Sequence, residues 1–68
     1  MRDSLWNLTP AETRVARTLR PGCLRYRTVA NVLGIKPSTV QSHLSNIRQK
    51  MDVRSTAEVM LKIMREGL

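Results

Sequence analysis

Residues 37–51 constrain the fold most strongly, because they predict one long helix with two faces of opposite chemistry. One side is apolar, with Val40, Leu44, Ile47 and Met51 at the spacing of a helix that turns one stripe toward a core. At about 100° per residue, the other side carries short, uncharged polar side chains. These are Ser38, Gln41, Ser42, Ser45 and Gln49. The apolar stripe needs other helices to cover it, whereas the polar side is predicted to stay outside.

Start and stop signals predict three further helices. Thr9-Pro10-Ala11-Glu12 forms a capping box that opens a helix over residues 10–20, which Arg20-Pro21-Gly22 ends. A short helix over residues 26–33 stops at Gly34, and a second capping box at Ser55-Thr56-Ala57-Glu58 opens a helix over residues 55–66. We therefore predict an all-α, four-helix domain over residues 8–68, preceded by an N-terminal extension over residues 1–7.

The last predicted helix has two apolar stripes, of which only one fits a one-sided helix. We expect the larger stripe to face the core; it comprises Ala57, Met60, Leu61, Met64 and Leu68. The smaller one, Val59 and Ile63 with Thr56 between them, would then face outward. Two exposed aliphatic side chains are ordinary, but a second copy of the chain, related by a two-fold axis, would also explain them. This interpretation assigns Thr56, Val59 and Ile63 to a dimer interface.

Composition limits the classes of function. Twelve Lys and Arg residues against five Asp and Glu residues give a formal charge of +7, which favours a polyanionic partner. A chain of 68 residues has little room for an enzyme cleft, and no nucleophile is placed beside a base. One cysteine, Cys23, and one histidine, His43, form no metal site, and we expect no cofactor. No apolar run of membrane length and no signal-peptide pattern occur, so a cytoplasmic, nucleoid-associated protein is expected.

The outward side of residues 37–51 has the chemistry of a surface that contacts DNA bases. A solvated helix would usually carry Glu and Lys, whereas neutral donors and acceptors suit base edges when cations flank them, as Arg48 and Lys50 do here. At the start of this helix, Lys36 stands beside exposed backbone amides, which favours a phosphate.

Four motifs in order resemble the LuxR/FixJ-type helix-turn-helix domain over nearly the whole chain. They are Leu8-Thr9-Pro10-x-Glu12, Val29-Ala30-x-x-Leu33-Gly34-Ile35, Thr39-Val40-x-x-His43-x-x-Asn46-Ile47-x-x-Lys50-Met51 and Val53-Arg54-Ser55. The resemblance implies a bacterial transcription regulator, or the effector domain of a response regulator. Its second and third helices would form the helix-turn-helix, the third would enter the major groove of double-stranded DNA, and the fourth would pair two copies. It also implies contacts with RNA polymerase or with a regulatory domain that this sequence does not contain.

The resemblance also implies site residues. Bases would be read by Gln41, Ser42, Ser45 and Gln49. Phosphates would be bound by Arg25, Arg27, Lys36, Ser38, Thr39, Asn46, Arg48 and Lys50. Family members often carry Lys or Arg where Gln41 and Ser45 stand, so strong guanine contacts are missing and direct readout is expected to be modest.

Two alternatives stay open at this point. The DNA-reading fourth region of a bacterial sigma factor has a similar Tyr-x-x-Val-Ala and Thr-Val-x-Ser pattern, although it normally ends soon after the recognition helix. A helix-turn-helix domain can also serve as an adaptor that binds protein rather than DNA. The charge of +7 and the lack of a large apolar side chain on the polar side count against an adaptor.

Overall fold

A computed structural model describes residues 6–67, and within them it contains four α-helices and no strand. The helices are α1, Pro10–Thr18; α2, Tyr26–Leu33; α3, Pro37–Met51; and α4, Thr56–Glu66. The predicted all-α class and the four helices are confirmed. Residues 1–5 of the predicted extension, and Leu68, lie outside the described residues.

The helix α1 ends two residues earlier than predicted. Its C-cap is Leu19, whose backbone is extended at φ −68° and ψ 132°. A proline disfavours helical backbone in the residue before it, so Arg20 is pushed out of the helix by Pro21. Arg20 and Cys23 then pair their backbones across a tight turn in which Gly22 adopts a φ of +88°.

Both predicted capping boxes are present. The Thr9 hydroxyl accepts a hydrogen bond from the Glu12 amide at 3.1 Å, and the Glu12 carboxylate accepts one from the Thr9 amide at 3.0 Å. Ser55 and Glu58 make the same exchange at the start of α4, each at 3.2 Å. In contrast, α2 and α3 begin at Arg25 and Lys36 without a side-chain cap. The starts of α1 and α4 are therefore fixed by local side chains, whereas those of α2 and α3 are not.

The core forms where α3 packs against the other three helices. Val40 and Ile47 of α3 are completely buried, as are Val29 of α2 and Val59 of α4. The apolar stripe predicted for α3 is thereby confirmed. Trp6 packs against this core, and Cys23 is buried within it, as expected for a small apolar loop residue.

The orientation predicted for α4 is wrong. Val59 is completely buried and Ile63 packs against the core, whereas Leu61 is 50% exposed and Met64 is 67% exposed. Of the stripe predicted to face the core, Ala57, Leu61 and Met64 are exposed, Met60 is buried, and Leu68 lies outside the described residues. The face of α4 that packs against the core is the one with Val59, Met60 and Ile63. Thr56 and Ile63 are half-buried, and Val59 cannot reach a partner without opening the core. Of the predicted dimer interface of Thr56, Val59 and Ile63, Val59 is thus corrected, because it belongs to the core.

Candidate nucleic-acid interface

The outer face of α3 carries the predicted base-reading side chains. Gln41, Ser42 and Gln49 are exposed, and Ser45 is half-buried. No side-chain hydrogen bond within residues 6–67 involves any of the four. Their amide and hydroxyl groups are therefore available to an external partner.

The N-terminal edge of this face brings together three predicted phosphate-binding residues. Lys36, Ser38 and Thr39 are all exposed at the start of α3, and Asn46 is exposed further along the helix. Pro37 has no backbone N–H, and the Thr39 and Val40 amides both donate hydrogen bonds to the Lys36 carbonyl. One lysine beside the positive end of a 15-residue helix makes this edge attractive to an anion.

On the opposite flank of α3, arginines from two helices surround one groove. Arg25 and Arg27 at the start of α2 and Arg48 of α3 line a cavity of about 500 Å³. Gln41 lines the same cavity, so a base-reading candidate and three cations meet at one place. The Arg27 guanidinium lies 6.0 Å from the centre of the Tyr26 ring, which keeps it beside the groove. We call Arg25, Arg27 and Arg48 the arginine flank.

Lys50 does not join the cations available to phosphate. Its ammonium lies 2.7 Å from Glu12 Oε1 and donates a second hydrogen bond to the Asn7 carbonyl at 3.1 Å. The Glu12 side chain is only 5% exposed, and that of Lys50 is 31% exposed. The contact between them is the only ion pair within residues 6–67. Because its charge already compensates a buried carboxylate, we expect Lys50 to stabilise the fold, in contrast to its predicted role as a phosphate-binding cation.

The pKa of Glu12 reflects this environment. Burial raises the pKa of its carboxyl, but hydrogen bonds from Lys50 and the Thr9 amide, together with the charges of Lys50 and His43, outweigh burial. The pKa therefore lies below its ordinary value of 4.5. Glu12 stays ionised at neutral pH, and the C-terminal half of α3 is held against the start of α1.

A second lysine fixes α3 from the other side. Lys62 of α4 donates a hydrogen bond to the Met51 carbonyl at 3.1 Å, at the last residue of α3. Asp52 then ends the helix in the left-handed conformation, with a φ of 58°. Lys50 thus ties the end of α3 to Glu12 of α1, and Lys62 ties it to α4. Neither contact uses the base-reading side chains on the outer face of α3.

The only histidine in the sequence lies between two helices. His43 is half-buried and lines a small cleft between α1 and α3, beside Ala11 and Val15. Within residues 6–67, no three His, Cys, Asp or Glu side chains are grouped as a metal site would require.

Sequence reasoning missed three residues that shape this region. Tyr26 and Thr56 line the groove beside the arginine flank, and Glu12 pairs with Lys50. The capping-box pattern predicted the hydrogen bonds between Glu12 and Thr9, but it did not predict the ion pair between Glu12 and Lys50. A pairing over 38 positions has no short-range signal in the sequence.

Comparison with known proteins agrees with this architecture. Residues 7–63 match the family model described as bacterial regulatory proteins, luxR family. No curated protein and no solved structure matches the chain. None of the helices in residues 6–67 has the length and apolarity needed to span a membrane. The family match supports the LuxR-type interpretation over the sigma-factor alternative. The chain thus belongs to the luxR family of bacterial regulatory proteins and is a helix-turn-helix domain of DNA-binding transcription regulators, not of enzymes.

Proposed function

We propose that the outer face of α3 enters the major groove and reads base edges through Gln41, Ser42, Ser45 and Gln49. The observation that carries this proposal is the exposure of these neutral side chains without partners in residues 6–67, between two positively charged edges. A helix fits the major groove, where each base pair presents a distinct pattern of donors and acceptors. The family supports DNA as the partner.

The two edges of the outer face supply the phosphate contacts. On one side, the arginine flank carries three guanidinium groups, which form bidentate hydrogen bonds with phosphate. On the other, Lys36, Ser38 and Thr39 present one ammonium, two hydroxyls and the uncapped start of α3, with Asn46 beyond them. The face between these edges is neutral, so most of the binding free energy is expected to come from phosphates and to depend on salt.

Gln41 is the residue that best tests base reading. Its carboxamide can make a bidentate contact with adenine, which contributes about 1–3 kcal/mol of discrimination. Selection of bound sequences from random duplex DNA gives the preferred site, and titrations at two salt concentrations give its affinity. Gln41→Ala should bind that site at least about fivefold more weakly, and should bind unrelated DNA as before.

Asn31→Ala is the matched control for Gln41→Ala. Asn31 is an exposed amide on α2 to which no DNA contact is assigned, and its loss should change neither affinity nor preference. Replacing Arg25 and Arg27 by Gln should weaken all sequences alike and lower the salt slope by about two units. The base-reading assignment fails if Gln41→Ala weakens every sequence equally. Absence of DNA binding by the folded wild-type chain would favour the protein adaptor.

We further propose that two copies pair through the exposed stripe of α4, whose members are Ala57, Leu61 and Met64. These residues recur at i, i+4 and i+7, so they form one face, and Leu61 and Met64 are at least half exposed. A two-fold axis would place this face against its own copy. The stripe is small, so we expect pairing to be weak in free solution and to form on adjacent half-sites of DNA.

Replacing Leu61 and Met64 by Glu tests the pairing. Both side chains are exposed, so the double variant should stay folded, bind one half-site as before and lose cooperative binding to paired half-sites. Cooperative binding that survives in the folded variant would exclude α4 as the contact. Sedimentation on paired-site DNA provides the stoichiometry.

A further inference from the structure

A second group of arginines lies on α1, outside the surfaces assigned above. Arg14, Arg17 and Arg20 are all exposed and line one open groove of about 450 Å³, together with Pro10, Thr13 and Thr18. We call it the α1 groove. Neither base reading nor the phosphate contacts beside α3 use it.

The α1 groove faces away from the outer face of α3. Val15, Ala16 and Leu19 turn α1 toward the core, and Arg14 and Arg17 project about 150° from the centre of that apolar face. The helix α3 turns its own apolar face to the same core. Their outer faces therefore point in different directions, although Arg14 also borders the cleft that Thr39 and His43 line.

Among the described residues, no carboxylate pairs with the positive charges of the α1 groove. Of the acidic residues near these helices, Glu12 is paired with Lys50, and Glu58 caps α4. No ion pair within residues 6–67 involves Arg14, Arg17 or Arg20. Five N–H donors on each guanidinium are thus available to an anion.

A buried hydroxyl adds an unused hydrogen-bonding group. Thr13 is 7% exposed, and no partner for its Oγ1 is found among the described residues. Thr18, in contrast, donates its hydroxyl hydrogen to the Arg14 carbonyl at 2.9 Å. Buried polar atoms are nearly always hydrogen-bonded, so this hydroxyl is an unsatisfied group in a residue that lines the cationic groove.

We propose that the α1 groove binds the phosphate backbone of a second DNA segment, so that one domain holds two duplexes. Side chains three residues apart on a helix have Cβ atoms about 5–6 Å apart, as for Arg14 and Arg17 on α1, and a DNA strand offers one phosphate per ~3.4 Å of axis. These two arginines can therefore reach nearby phosphates of one strand, and Arg20 follows just beyond the end of the helix. The large apolar or aromatic anchors of a protein interface are missing from the groove lining. The chemistry therefore favours DNA over an acidic protein surface.

A capture assay tests this proposal directly. A duplex on beads is loaded with protein, unbound protein is washed away, and a second, fluorescent duplex is added. Leu61→Glu with Met64→Glu forms the background in all samples, because pairing through α4 would also join two duplexes. Sedimentation checks that this background is monomeric, and circular dichroism checks that each variant is folded.

The test variant carries Arg17→Gln and Arg20→Gln. The control variant carries Arg54→Gln and Arg65→Gln, which removes two charges from exposed residues elsewhere. The first pair leaves Arg14 beside α3 intact. It should load the beads within about twofold of the parent and capture at least fivefold less fluorescent duplex, since it removes two phosphate contacts. The control pair should change both quantities by less than about twofold.

Three outcomes overturn the proposal. The first is that the parent and the Arg17/Arg20 variant capture the same amount of fluorescent duplex, or that neither captures any although the beads are loaded with protein. The groove would then bind another partner, such as an acidic protein. The second is a fall in bead loading that accounts for the lost capture, because the arginines then contact the duplex held by α3. The third is an equal loss in the Arg54/Arg65 control. This assay is independent of the base-reading proposal. Capture measures how many duplexes one domain holds, and the sequence of those duplexes does not affect it.

Discussion

Replacing Lys50 by Met tests whether this lysine stabilises the fold instead of binding DNA. Methionine keeps most of the aliphatic chain and removes the ammonium, which lies 2.7 Å from a carboxylate that is 5% exposed. Removing one partner of a fully buried ion pair costs about 3–5 kcal/mol, and a hydrogen bond to a charged group contributes about 1.5–3 kcal/mol. Lys50 is 31% exposed, so water compensates part of the loss. We therefore expect a destabilisation of about 2 kcal/mol.

A loss of this size is readily measured in so small a domain. Stability of roughly 0.05–0.15 kcal/mol per residue gives a chain of this length about 3–10 kcal/mol in total, so the variant would lose a large fraction. The melting temperature should fall by about 8–16 °C, at 4–8 °C per kcal/mol. Urea unfolding followed by the fluorescence of Trp6, the only tryptophan, and by circular dichroism provides the free energies.

A double-mutant cycle with Glu12→Gln isolates the ion pair. Glutamine keeps an acceptor for the Thr9 amide but has no charge, so Lys50→Met should cost at least about 1 kcal/mol less in the Glu12→Gln background. In the wild type, the lowered pKa of Glu12 adds stability that is fully present above pH 4.5 and is lost as the pH falls through the folded-state pKa. The Glu12→Gln variant should lose this part of the acid sensitivity.

Two results would refute this reasoning. One is a loss below about 0.5 kcal/mol in Lys50→Met with no coupling to Glu12, which would mean that the pair is as weak as an exposed salt bridge. The other is a salt slope for DNA binding that falls by about one unit in the folded variant, as expected for a lost phosphate contact. With Lys50 committed to Glu12, the slope should be unchanged.

Three further predictions concern single positions and are all measured as thermal or urea unfolding. Ser55→Ala should cost about 1 kcal/mol, because it removes the hydroxyl that accepts from the Glu58 amide; no loss would mean that the cap contributes nothing. Asp52→Gly should stabilise by about 0.5 kcal/mol, because glycine adopts the left-handed backbone at φ 58° without strain, and a destabilised variant would contradict this. Val59→Ala should cost about 1.5–3 kcal/mol while Leu61→Ala costs less than about 0.5 kcal/mol, and the reverse order would restore the orientation of α4 that was predicted from its sequence.

The starts of α1 and α4 and the end of α2 could be predicted because their signals are local. Thr9 and Ser55 open capping boxes with a glutamate three residues later, and the predicted hydrogen bonds form in both. Gly34 ends α2 with a φ of 69°, as its position after the last apolar residue indicated. In α3, only one stripe is apolar, so its buried and exposed sides followed from the spacing alone.

The orientation of α4 could not be predicted in the same way. It has apolar residues on both sides, and periodicity ranks stripes only by their size. The buried side was decided by tertiary packing, which buries Val59 and leaves Leu61 and Met64 of the larger stripe exposed. Lys50 illustrates the same limit, because its charge suggested phosphate binding and only the approach of Glu12 in space assigns it another partner.

The division between edges and face explains how this domain can combine affinity with selectivity. The outer face of α3 adds nothing to the core, so substitution of Gln41 or Ser42 should change discrimination with little effect on stability. The cations at its edges bind every sequence alike, so on the proposed mechanism they raise affinity without raising selectivity. Selectivity must then come from a few neutral contacts of about 1–3 kcal/mol each, a modest total for one domain. Two copies on adjacent half-sites double the number of those contacts, and each mismatch then penalises the whole assembly. A face without strong guanine-reading cations is therefore best matched to a protein that pairs on its DNA, as proposed here for the exposed Leu61 and Met64.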